Sequence, residues 1–183
     1  MIREEAITVL AYRDLGRLSV AEREALLCDW WTIDLSDPDH AELPVDVAKR
    51  LAGSDHPQDP ENPLYDPLLH LALRRAYRGV SNAYLSDQLA TMGRPDPVDG
   101  AVEELAECPC CEYRSLPAQG EYEICPVCFW EDDGTSDLDS ISGPNHLTLR
   151  EARLNVERFG AVTADATRHV LADGRQRYAL KAH

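Results

Sequence analysis

Apolar positions along the first hundred residues recur mostly with helical spacing. Ile2, Ala6, Val9 and Leu10 share one face of a helix expected over residues 2–14, with Arg3, Glu4 and Glu5 early in it. Gly16 ends it. Ser19 and Glu22 then have the spacing of a capping box, in which the serine and the glutamate three positions on satisfy each other's backbone N–H groups. The helix they open runs to about Trp31, with Leu26, Leu27 and Trp30 inward and Cys28 as a small buried apolar side chain. Residues 32–43 are acidic and turn-like, and Pro44 fits the first turn of a short helix from Val45 to Ala52, stopped by Gly53. The proline-rich stretch 53–63 is a loop.

The strongest helical pattern begins near Asp66, a candidate cap, with Pro67 at the first position. Leu68, Leu69, Leu71, Ala72, Leu73, Ala76 and Tyr77 supply its apolar face, and Arg74, Arg75 and Arg78 form a basic cluster suited to offsetting nearby acids. A further helix follows over about 82–92, where Tyr84, Leu85, Leu89 and Met92 make a core pattern. Two prolines and two glycines between Gly93 and Gly100 then break the helical pattern. The last clear helix spans about 148–159, with Thr148 and Glu151 as a second capping box and Leu149, Ala152, Val156 and Phe159 inward. Beyond it the pattern weakens, with helix expected over part of 164–171 and a mobile end.

Between these helices the pattern changes character. Cys108-Pro109-Cys110-Cys111 is followed, after thirteen residues, by Cys125-Pro126-Val127-Cys128. Each C-P-x-C turn lets two sulfurs converge on one ion, and the proline narrows the conformations that must be lost. Two such turns supply the four thiolates that tetrahedral zinc prefers. The ligand set expected is Cys108, Cys111, Cys125 and Cys128 around one structural zinc, with Cys110 directed elsewhere. Arg114–Leu116 and Tyr122–Ile124 are candidate strands of one hairpin, with 117–120 as its turn. Three rival uses of the cysteines remain on the sequence: disulfides, a redox pair, and a catalytic zinc with Cys110 or His146 competing as ligand. The fold class expected is mainly α with a small zinc-ribbon-like β-hairpin module. A helical N-terminal domain over 1–98 precedes a cysteine-rich zinc-binding module with a C-terminal helix over 99–183.

Charge alters what such a module can do. The chain of 183 residues carries a formal net charge of -15, and Asp99 to Asp139 holds twelve acidic residues against one basic residue, Arg114. That surface repels phosphate and cannot release counterions from DNA, which argues against direct nucleic-acid binding by this module. It favours a basic protein partner instead. Glu131, Asp132 and Asp133 directly follow the second cysteine turn and are the candidate partner-binding residues. Their alternative role is to hold Arg150 or Arg153 of the next helix. No apolar run reaches membrane-spanning length and no secretory signal opens the chain, so a cytoplasmic location is expected.

The two cysteine turns carry a resemblance. Together with Tyr122–Gly134, Ser142-Gly143-Pro144-Asn145 and Leu149–Asn155, they resemble the bacterial cysteine-rich CPCC family over about residues 107–161. One departure is visible: the family pattern has glycine after the last cysteine of the first motif, where this chain has Glu112. The resemblance implies a small metal-binding module and leaves the first hundred residues uncovered.

No nucleotide-binding glycine loop, nucleophile elbow or H-E-x-x-H helix occurs, so no catalytic residue is assigned and the balance falls against an enzyme. The function expected is a zinc-stapled acidic protein-binding protein, for which a cytoplasmic immunity protein neutralising a nuclease toxin is the specific candidate. The alternatives are a metal- or thiol-dependent enzyme using the cysteine cluster and a transcription-associated zinc ribbon.

Overall fold

The computed structural model describes residues 1–33, 37–53, 57, 59–181. Parts of the loops expected over 32–43 and 53–63 lie outside the described residues. The chain divides into two compact units, one formed by residues 1–78 and 86–99 and the other by 79–85 and 100–183.

The first unit is built from helices α1 (Arg3–Leu15), α2 (Val20–Trp30), α3 (Val45–Leu51) and α4 (Asp66–Arg75), with short 3-10 turns at Pro38–Glu42 and Pro63–Tyr65. Helix α5 (Asn82–Thr91) gives residues 86–91 to this unit and 82–85 to the second. The Ser19–Glu22 capping box forms, satisfying the first backbone donors of α2. Leu27, Trp31, Leu43, Val47, Tyr65, Leu68, Leu69 and Leu71 bury one another as the core.

Three local expectations change here. Cys28 is exposed rather than buried, because Leu27 takes the inward position of α2. Asp66 does not cap α4: it is already helical, and its carboxylate accepts from Arg23 at 2.6 Å. Arg3, expected among the polar residues that open α1, is 4% exposed and donates to the carbonyl of Tyr77 at 3.3 Å. The basic cluster of α4 offsets acids as expected: Arg74 meets Glu42 at 2.5 Å, and Arg75 pairs with Asp37 and Asp39. Those acids hold the Arg75 guanidinium above its ordinary pKa, the Asp39 hydrogen bond most of all.

The second unit contains four two- or three-residue strands, β1 (Ala106–Glu107), β2 (Arg114–Leu116), β3 (Glu123–Ile124) and β4 (Glu131–Asp132). Helices α6 (Leu149–Phe159) and α7 (Gly174–Arg177) follow. The single hairpin expected from 114–116 and 122–124 does not occur. Instead β1 pairs antiparallel with β2, and β3 with β4, so each cysteine turn is the tip of its own hairpin. The chain thus uses each C-P-x-C as a hairpin connection, leaving 117–122 to join the two hairpins.

Helix α6 has the Thr148–Glu151 capping box and ends at Gly160 with φ 84, the left-handed cap glycine adopts without steric cost. Its face of Leu149, Ala152 and Val156 is buried, while Phe159, expected inward, is 37% exposed. The helix expected over 164–171 is a short 3-10 turn, Asp165–Arg168. The tail described to residue 181 is fixed within the unit. Ala179 O accepts from Arg114 N at 2.9 Å, Lys181 N donates to Glu112 O at 3.0 Å, and the Lys181 ammonium meets Glu107 at 2.9 Å.

The upstream segment 79–85 also belongs to this unit. Ser81 N donates to Arg177 O at 2.8 Å, and the Tyr84 hydroxyl donates to Asp173. Gly79, at φ +66, lies against Leu105 so closely that a Cβ there would sit 2.3 Å from Leu105 Cδ1. No helix among the described residues is long and apolar enough to cross a membrane.

Candidate metal centre

The two hairpins repeat one local geometry at matching positions. Cys108 N donates to Tyr113 O at 2.9 Å, and Cys125 N donates to Trp130 O at 2.8 Å. Glu112 N donates to Cys108 O at 2.9 Å and Phe129 N to Cys125 O at 2.8 Å. The residue after each second cysteine is left-handed: Glu112 has φ 64 and Phe129 has φ 68. Glycine adopts that conformation without the Cβ clash that side chains meet. Glu112 and Phe129 therefore hold a conformation that glycine would adopt at lower cost.

These turns bring Cys108, Cys111, Cys125 and Cys128 together. Their Sγ atoms all lie within 4.8 Å of one another, with Cys108–Cys128 and Cys111–Cys125 each at 3.6 Å. Four thiolates about 2.3 Å from a tetrahedral zinc stand roughly 3.8 Å apart, so the set fits such an ion. Cys108, Cys125 and Cys128 are fully buried.

Cys125 is the best acceptor of the four. The thiols of Cys108, Cys111 and Cys128 point hydrogen bonds at it and hold its pKa well below the ordinary thiol value, with Ser115 Oγ at 3.1 Å adding to this. Val127 N donates to the same sulfur at 3.4 Å. Cys108 is pushed up by its bonds to Cys111 and Cys125, and Cys128 by its bond to Cys108. A metal ion bound there would displace the thiol protons, so its binding would be coupled to pH.

Cys110 is 4% exposed and stands outside the four-sulfur group, as does His146, which is exposed. No disulfide links any of the cysteines.

The rest of the unit holds the turns in place. Arg153 on α6 grips Pro109 O with two donors, at 2.8 and 3.2 Å. On the second turn, Val162 N donates to Cys128 O at 2.8 Å and Leu171 N to Pro126 O at 2.9 Å. Sequence patterning gave Arg153 a carboxylate partner rather than the Pro109 carbonyl and did not mark the backbone donors, since such contacts leave no periodic trace.

The acidic run after Cys128 is used internally as well. Asp132 is 2% exposed, and its carboxylate accepts from Gly120 N at 2.9 Å and Gly134 N at 3.3 Å. Asp133 accepts from Ser142 Oγ at 2.9 Å, Gly143 N at 3.1 Å and Thr135 N at 3.1 Å. Burial alone would raise its pKa; the bonds from Thr135, Ser142 and Gly143 outweigh that and lower it. As candidate partner residues, Asp132 is thus withdrawn from solvent and Asp133 is engaged with the 142–143 loop. Glu131 is half-buried, with its main chain held by the Asn145 amide at 3.0 and 2.7 Å and its carboxylate without a partner among the described residues. Arg150 is held by Asp139 at 2.8 Å.

Residues 106–176 match the family model described as Cysteine-rich CPCC. Over this segment the chain is similar to that family. The match reaches beyond the 107–161 stretch of the resemblance to take in the segments that bond to Pro126 and Cys128. No curated protein and no solved structure matches the chain.

Proposed function

We propose that the CPCC module holds one structural zinc ion through Cys108, Cys111, Cys125 and Cys128, and that the chain is an acidic protein-binding protein. Its partner is a basic protein, for which a nuclease toxin neutralised by this chain as its immunity protein is the specific candidate. The observation that carries the reading is the closed set of four sulfurs, three of them on fully buried cysteines. All four tetrahedral positions are filled by the chain, which leaves no position for water or substrate. Zinc bound there supplies a crosslink between two hairpins too small to be stable alone.

The net charge of -15 supports the choice of partner, because complementary charge speeds encounter and disfavours nucleic acid as a direct ligand. An acidic surface suits the basic cleft of a nuclease in sign.

Metal content of the purified chain tests the first half, with one zinc per chain expected and thiols protected from titration. Cys125→Ser removes the best acceptor of the set. Zinc binding in finger peptides is worth about 10–16 kcal/mol, comparable with the whole stability of roughly 5–15 kcal/mol of a domain, so this variant loses the module's fold. A fold that survives the substitution with a reactive thiol elsewhere would refute the structural role. Affinity capture from the native host tests the second half. Recovery of no basic protein, or no protection against a neighbouring toxin, would count against it.

A further inference from the structure

A cleft of about 280 Å³ opens beside the second cysteine turn, lined by Ile124, Phe129, Glu131, Val162, Asp165 and His169, among others. Its parts are unlike those of an ordinary acidic surface. Ile124 is 48% exposed and stands opposite Glu131 across the β3–β4 pair, so the two side chains lie next to each other on one face. Phe129 is fixed in the left-handed conformation at φ 68, and its ring stacks on His169 with centroids 4.9 Å apart and 22° between planes. An aromatic residue in that backbone region costs free energy, and its ring is presented to the cleft all the same.

Neither carboxylate on the cleft, Glu131 or Asp165, has a side-chain hydrogen bond or ion pair among the described residues. Arg168, on the same rim, donates through Nε to His169 Nε2 at 3.0 Å instead.

We propose that this cleft receives a lysine- or arginine-bearing segment of the partner protein, with an apolar residue flanking the cation. This deepens the reading of a basic partner and rests on it. Charge and shape together select that occupant. The aliphatic stem of lysine or arginine packs on exposed Ile124 beside the Phe129–His169 stack, and its charge meets Glu131 and Asp165. An acidic or purely apolar segment would leave Glu131 half-buried and unpaired, which is the costly arrangement.

The probe is a blocked pentapeptide of alternating valine and lysine, with a counterpart carrying glutamate in place of lysine. Each is titrated into the isotope-labelled full chain and followed by amide NMR shifts. The lysine peptide should give saturable shifts at 124, 129, 131 and 162–169, and the glutamate peptide none. Glu131→Gln keeps the main-chain bonds to Asn145 and should weaken binding about three- to tenfold, the range for one partly desolvated charge contact. Ile124→Ser should weaken it as well, with spectra elsewhere unchanged. Shifts that do not saturate, or that survive Glu131→Gln unaltered, overturn the proposal. So does a silent cleft, even where affinity capture recovers a basic protein, because capture reads the charge of the whole chain and not this cleft.

Discussion

Replacing Gly79 with alanine tests whether the upstream segment 79–85 belongs to the cysteine-bearing unit. Two penalties act at one atom. The backbone sits at φ +66, where a Cβ costs about 1–2 kcal/mol. The same Cβ would lie 2.3 Å from Leu105 Cδ1 and 2.5 Å from Leu105 Cγ, so the leucine must move, and overpacking of this kind costs roughly 1–3 kcal/mol. Restricting the unfolded chain returns about 0.4–1 kcal/mol. The net loss expected is about 2–4 kcal/mol, with the clash as the larger share. Urea unfolding of Gly79→Ala and of the parent gives the difference directly. Leu105→Ala in both backgrounds separates the terms: it relieves the clash and leaves the backbone strain, so the double variant is more stable than the sum of the single changes by about 1–3 kcal/mol. A single variant within about 0.5 kcal/mol of the parent, or strict additivity in the cycle, would refute the packing of Gly79 on Leu105.

Asp173 gives the unit an acid-sensitive component. Burial alone would raise its pKa, but hydrogen bonds from Arg177 and Tyr84 outweigh that and bring it below the ordinary value of 3.8. A depressed carboxylate contributes stability above its unfolded pKa and loses it as pH falls through the lower folded value, so Asp173→Asn should flatten the acid limb of a pH–stability profile below about pH 5. The group is 40% exposed at the side chain, which keeps the effect under about 1 kcal/mol near neutrality. Arg153→Met removes both donors from Pro109 O and should cost about 1–3 kcal/mol in chemical unfolding, with faster exchange of the first-turn amides. An unchanged midpoint would show that α6 does not hold that turn.

What could be read from the sequence divides by range. Both capping boxes were legible, because Ser19 with Glu22 and Thr148 with Glu151 are complete signals within four residues. The cysteine grouping was legible because two turns of one chemistry need only each other. The strand pairing was not: a strand of two residues has no period, and Ala106–Glu107 and Glu131–Asp132 look like coil. The acidic run after Cys128 was only partly legible for a related reason. Asp132 and Asp133 read as a surface charge block, yet loop amides at Gly120, Gly134 and Gly143 draw them inward, and the spacing of those amides along the chain carries no signal. Cys28 and Asp66 failed at the level of one rotation or one residue of helix start, the scale at which periodicity is blind.

The two left-handed residues at the tips of the hairpins set different limits on how this sequence can drift. At position 112 glycine would relieve about 1 kcal/mol of backbone cost and give up only a distant 3.8 Å approach to Arg153, so that site is open to exchange. Position 129 offers the same relief, yet glycine there would remove the ring that stacks on His169. Among related chains, residue 112 should vary freely toward glycine, and an aromatic ring retained at 129 would mark the chains that share this cleft.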